Sequence, residues 1–244
     1  MTDEKSVLEQ NIRLHQIEAY FYNAIHPEDF NLWEQRRLKR EIKQLSAKID
    51  RSLPVMDLAS GTGNLSDHLR KEGVRVIACD LSREMLKENR AQDRVQCDAT
   101  RLPFKDGCFS AITGYSMLHH LPDPCRTMKE VTRVAVPKEC FLYFDHDHFL
   151  PEKHKSLGHY DFSISDLAGW VLWITMRPRY IGRLFKYALW GRRKHLQNMA
   201  DMDVVESHER VNTEYLFDIL DNSGFDAQIV AYNSGSFLEA SRTN

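Results

Sequence analysis

The chain has 244 residues, of which 42% are hydrophobic and 28% charged, and a formal net charge of -2. That length carries one sizeable core, or a core with a small lid, in one soluble, enzyme-sized unit. The slight negative charge excludes a global attraction to nucleic acid, so an anionic partner must meet a local patch.

The five cysteines, Cys79, Cys97, Cys108, Cys125 and Cys140, form no C-x-x-C pair and no zinc-ligand spacing, so reduced thiols in a cytoplasmic setting are expected. The polar opening MTDEKSVLEQ lacks the apolar core of an export signal.

In chain order, Leu8, Ile12, Ile17, Phe21 and Ile25 approximate a helical stripe that HPED interrupts. Leu32, Trp33, Leu38, Ile42, Leu45 and Ile49 predict a second amphipathic helix, with Arg36, Arg37, Lys39 and Arg40 opposite. The period then switches. Runs at 53–59, 74–80, 94–98, 109–115 and 140–145 predict strands, and the stretches NLSDHLRKEG, SREMLKENRAQD and DPCRTMKEVTRVAV predict helices between them. Strands apolar on both faces, alternating with helices, predict a doubly wound, Rossmann-like α/β sheet. After residue 150 the alternation stops until TEYLFDILDNSGF, a helix ended by Gly224, and two closing strands, DAQIVAY and GSFLEAS. Residues 151–210 are therefore an insertion.

The turn in VMDLASGTGNL (55–65) follows the first strand. Gly61 and Gly63 let a ligand approach the backbone. A dinucleotide turn requires G-x-G-x-x-G, and here Ser66 holds the third glycine position. Asp57, four residues before Gly61, would repel a pyrophosphate and suits a cationic ammonium. Asp80, ending the second strand, can accept two ribose hydroxyls, and Asp98 can accept the adenine amine.

Together, VMDLASGTGNL, VIACDLSREML, VQCDATRLPF and FSAITGYSMLHHLPD resemble class I S-adenosylmethionine-dependent methyltransferases, in particular the branch acting on small molecules and quinone or lipid precursors. The resemblance covers residues 53–146 closely and 213–241 loosely. It implies a seven-stranded, mostly parallel sheet with S-adenosylmethionine as donor and S-adenosylhomocysteine as product. It further implies that Asp57, Ala59, Ser60, Gly61 and Gly63 surround the methionine part of the donor. Asp80 would bind ribose, with Leu81 and Met85 beside adenine and Asp98 and Ala99 on its edge. Tyr115 and Ser116 would line the pocket where the methyl leaves, and Tyr22 would lie on an N-terminal helix closing over the donor. This sequence departs from the family pattern at Ala59, where glycine is usual, at Ser110, where aspartate is usual, and at VPKE (136–139), which replaces a Pro-Gly-Gly turn.

A hydroxyl acceptor needs a base, and His119, His120 and His146 are the candidates; the alternative for the first two is a structural role. In FDHDHF (144–149) only alternate residues of an extended loop converge, so no metal site is expected. Between Asp166 and Asp201 no acid occurs, while Arg177, Arg179, Arg183, Lys186, Arg192, Arg193 and Lys194 interleave with Trp170, Trp173, Tyr180, Phe185, Tyr187 and Trp190. Such a segment is a lid with solvated arginines, or a surface for an anionic or lipid-linked acceptor or for peripheral membrane contact through 167–195; nucleic acid is disfavoured. Its apolar part, LAGWVLWITM, falls short of the roughly 20 residues that span a bilayer.

The expectation is therefore a methyltransferase with an N-terminal helical cap at 1–50, a donor-binding core at 51–150, a helical substrate lid at 151–210 and the end of the core at 211–244. A catalytically silent module holding the donor or its product is the alternative, and an NAD-dependent oxidoreductase is disfavoured by Ser66 and Asp57.

Overall fold

The computed structural model describes residues 4–121, 123–137, 140–145, 164–192, 213–232 and 235–242. The His146 position and the cations Arg193 and Lys194 lie outside them.

Three N-terminal helices, α1 (Glu4–Glu18), α2 (Tyr22–Ile25) and α3 (Leu32–Ser46), precede the sheet. α3 starts where Asn31 accepts from the backbone N–H groups of Trp33 and Glu34 at 3.0 and 2.9 Å, an N-cap. Its spacing puts Leu38, Ile42 and Leu45 on one buried face.

The core then alternates β1 (Val55–Leu58), α4 (Asn64–Lys71), β2 (Val76–Asp80), α5 (Arg83–Glu88), β3 (Asp93–Gln96), β4 (Ala111–Tyr115), α6 (Pro124–Val134) and β5 (Phe141–Asp145). A hairpin of α7 (Ile164–Thr175) and α8 (Pro178–Lys186) follows, then α9 (Thr213–Asn222), β6 (Phe225–Tyr232) and β7 (Gly235–Arg242). The seven strands lie in the order β3-β2-β1-β4-β5-β7-β6. β1 to β5 pair in parallel, and β7 is antiparallel to both β5 and β6. The expected doubly wound, mostly parallel sheet is the one found.

Alternate side chains of the central strands go to opposite layers. Val55, Val76, Ala111 and Tyr143 pack with Leu38, Ile42, Leu65 and Leu69 of α3 and α4. Met56, Ile112, Leu142 and Phe144 pack with Met128 and Val131 of α6 and with Leu216 and Leu220 of α9. This two-sided burial is why the strands lack a polar face.

The helix predicted over SREMLKENRAQD is shorter, ending at Glu88. Asn89 takes an extended backbone, and its side chain accepts from Ala91 N at 2.9 Å, ending the helical ladder. Trp173, Ile174 and Tyr180 of the hairpin cluster with Ala24 and Phe30 of the cap. Trp33 Nε1 donates to the Ser165 carbonyl at 3.2 Å, joining α3 to α7.

Candidate functional site

Strand order reverses at β1, between β2 and β4, and in open α/β sheets such a switch point opens a crevice at the carboxyl ends of the strands. Asp57 lies in β1, Asp80 and Tyr115 end β2 and β4, and Asp98 follows β3 by two residues. The predicted donor contacts from four neighbouring strands therefore share one rim.

The β1–α4 turn bends through left-handed backbone at Ala59 (φ 49°), Gly61 (φ 50°) and Gly63 (φ 94°). A Cβ at Gly63 would lie 2.8 Å from Asn89 Oδ1, so both conformation and space require glycine there. Around Gly61 the space is open. Ala59 holds its turn at a cost of about 1 kcal/mol, the usual penalty of a Cβ in left-handed backbone. Ser60 is buried; its N–H donates to the Cys79 carbonyl at 2.9 Å, and its hydroxyl accepts from Asn89 Nδ2 at 3.2 Å.

Asp57 is fully buried. Ser66 Oγ donates to it at 2.5 Å and Thr113 Oγ1 at 3.2 Å. Burial outweighs these bonds and raises its carboxyl to about 6. The serine that breaks the dinucleotide pattern is thus a partner of the acid that replaces it.

Asp80 accepts from Gly61 N at 2.8 Å and from Ser82 N at 2.7 Å, one bond to each oxygen. Burial raises its carboxyl, while the bonds to Ser82 and Gly61 oppose the rise. Each oxygen keeps a further lone pair for a ligand hydroxyl. Leu81 is half-buried and Met85 buried beside it. One oxygen of Asp98 accepts from both Thr100 N and Thr100 Oγ1 at 2.8 Å, while Ala99 packs on the main core. Ser116 takes a left-handed backbone (φ 49°) immediately after β4.

The cap brings side chains that sequence reading did not single out. Asn23 Oδ1 accepts from Thr62 Oγ1 of the glycine turn at 2.5 Å. Tyr115 donates to Glu34 Oε1 of α3 at 3.0 Å and bonds buried Asp29. Burial, with Glu28 nearby, raises Asp29 to about 8. Tyr22 stacks on His26, ring centroids 4.0 Å apart. His26 bonds Glu28 at 2.7 Å; although burial opposes protonation, Glu28, Asp29 and Glu18 raise His26. His26, Glu28 and Asp29 place possible ligand atoms within 4.8 Å of one another, a cluster the His26–Glu28 bond accounts for. His120 lies edge-on to His15 at 5.8 Å, and His119 shares its short 3-10 turn, Leu118–His120. Asn23, Asp29 and Asn89 carry no motif of their own; each is set by a partner distant in sequence.

Residues 56–142 match the family model described as a methyltransferase domain. Over 87 residues the chain is 40% identical to a demethylmenaquinone methyltransferase of Paenarthrobacter aurescens, covering 34% of each chain. Over 104 residues it is 40% identical to a protein of the same name from Mycolicibacterium vanbaalenii, covering 42% of this chain and 44% of the other. The matched segment thus spans between a third and a half of these relatives' length. The magnesium protoporphyrin IX methyltransferase of Synechocystis PCC 6803, solved with bound SAH, superposes with a TM-score of 0.52 at 17% identity, covering 88% of this chain and 86% of that one. Over residues 56–142 the chain is thus similar to a methyltransferase domain, and its seven-stranded fold is similar to that of the Synechocystis enzyme.

Proposed function

We propose that the protein transfers the methyl group of S-adenosylmethionine to a small or lipid-linked acceptor of the quinone-precursor kind. The observation that carries the donor half is Asp80: held by Gly61 N and Ser82 N, it presents free lone pairs beside the glycine turn. A ribose diol fits that geometry. In this reading Asp57, Ala59, Ser60, Gly61 and Gly63 surround the methionine part, the Asp57 carboxylate facing the ammonium. Leu81, Met85, Asp98 and Ala99 hold adenine, Ser116 and Tyr115 border the methyl exit, and Tyr22 closes the cap.

The reaction is an in-line displacement. The acceptor atom bonds to the methyl carbon as the carbon–sulfur bond breaks, its electron pair passes to sulfur, and the acceptor's proton leaves to a base. Alignment supplies much of the rate, and a positioned imidazole, His119, His120 or His146, adds about 100-fold or more. Relatives named demethylmenaquinone methyltransferase support an acceptor of that class.

A lipid-linked acceptor sits in a membrane, and the hairpin suits contact with one. Met176, Phe185 and Leu189 are 68%, 65% and 59% exposed, beside Arg177, Arg179 and Lys186. No described helix is long and apolar enough to cross a membrane.

Calorimetric titration with S-adenosylhomocysteine, with NAD in parallel, tests the donor. Micromolar binding of the former alone is expected, and NAD binding would overturn the reading. Transfer of labelled methyl to a reduced demethylmenaquinone then tests the acceptor: incorporation is expected, and donor binding without transfer would leave the silent module in its place. Alanine at His119, His120 and His146 in turn should reveal one variant about 100-fold slower with donor affinity unchanged.

A further inference from the structure

A cavity of about 260 Å³ lies between α4 and the α7–α8 hairpin, on the outer side of the glycine turn. Lys71 and Arg90 reach it from the core side, and Arg177, Arg179 and Arg183 from the hairpin. Two acids also line it, and both are engaged. Glu88 pairs with Arg183 at 2.7 Å, and Asp67 is shared between Arg70 at 3.3 Å and Arg90 at 3.9 Å.

The remaining cations have no such partner among the described residues. Arg177 and Arg179 lie over the rings of Trp173 and Tyr180 at 4.6 and 4.5 Å, donating to the Trp173 carbonyl and the Tyr180 hydroxyl. Among the described residues no carboxylate pairs with Arg177, Arg179 or Lys71. Burial, with the charges of Lys71, Lys39 and Arg177, pushes neighbouring His68 down to about 4, so the surplus positive charge is felt next to the cavity.

Two residues lining the cavity, one on each side, also carry an unsatisfied neutral donor. Trp173 is 3% exposed, and its Nε1 has no acceptor among the described residues. Asn64 gives its carbonyl oxygen to Gln35 Nε2 at 2.7 Å, leaving its buried Nδ2 without an acceptor there. Buried N–H groups are normally paired, so a wall of surplus donors and charge points to a missing acceptor-rich ligand. Forked guanidinium groups match the several oxygens of a phosphate.

We infer that this cavity binds a phosphate or diphosphate group, at a site separate from the methyl-donor rim. The phosphate belongs either to a soluble phosphorylated molecule or to a lipid headgroup. Thr62 and Gly63 border the cavity and also belong to the donor turn, so the two sites share a wall.

The test is calorimetric titration of the whole chain with inorganic phosphate and with pyrophosphate, alone and in the presence of phosphatidylcholine vesicles containing phosphatidic acid. Saturable pyrophosphate binding is expected, weakened about tenfold by Arg177→Gln and by Lys71→Gln. Lys71 is exposed on α4, so Lys71→Gln removes its charge at a solvent-facing position, while circular dichroism checks the fold of both variants. Competition by the vesicles identifies a headgroup as the source; undiminished pyrophosphate binding identifies a soluble one. Absence of saturable binding to phosphate, pyrophosphate and vesicles, or equal affinity in both folded variants, overturns the site.

Discussion

Ser66 Oγ donates to Asp57 Oδ2 across 2.5 Å in the buried joint between β1 and α4. A dinucleotide site has glycine at that place in the turn; here the hydroxyl holds a carboxylate that no pyrophosphate would tolerate. Ser66→Gly should therefore not create NAD affinity. It should instead destabilise the fold by about 1–3 kcal/mol, the cost of an unmet bond to a buried charged group, measured by urea unfolding.

Asp57 also makes stability pH-dependent. Its folded carboxyl titrates near 6, against about 3.9 in the unfolded chain, so between these values the folded state binds more protons. Stability from this group is full below about pH 4 and falls as pH rises through 6, by at most about 3 kcal/mol. Asp57→Asn should remove that decline; identical urea midpoints against pH in both proteins would refute it.

At the glycine turn two substitutions should part. Gly63→Ala places a Cβ against Asn89 at left-handed φ and should cost about 1–3 kcal/mol, with loss of donor affinity. Ala59→Gly relieves the same backbone penalty but adds chain entropy in the unfolded state, so its midpoint should move by less than about 1 kcal/mol. Thermal melts of the two variants decide it.

Asp80→Ala should weaken S-adenosylhomocysteine binding by more than about tenfold, through loss of charge-assisted bonds and release of Gly61 N. Unchanged affinity in calorimetry would move the ribose contact elsewhere.

For the hairpin, Met176→Ser with Phe185→Ser should cut sedimentation with anionic vesicles several-fold and leave the melting temperature unchanged, since both side chains are mostly exposed. Binding should fall as salt rises. Sedimentation equal to the parent protein's at low salt would remove the membrane contact.

The sheet was legible because Val55, Met56 and Leu58, like Ala111 and Ile112, are apolar on both faces, a pattern that only a covered parallel strand requires. The glycine turn was legible because φ above zero restricts residue type. What escaped depends on partners far along the chain. Tyr115 ends a strand that sequence reveals, yet its hydroxyl is claimed by Glu34 and Asp29 of the cap, 81 residues away in the case of Glu34. Asn89 reads as one more helical residue until its amide meets Ser60. Lys71, Arg90, Arg177 and Arg179 appear in sequence as separate charges, and only folding gathers them around one cavity.

The sheet order has a consequence for synthesis. β7 follows β6 along the chain but lies between β6 and β5. On the ribosome, the Phe141–Asp145 edge therefore stays open until Gly235–Arg242 has emerged, because β6 has no place on β5 without it. The nascent chain thus presents an apolar strand edge for the time needed to make about two fifths of the sequence given, an interval in which chaperone contact would guard against pairing between chains.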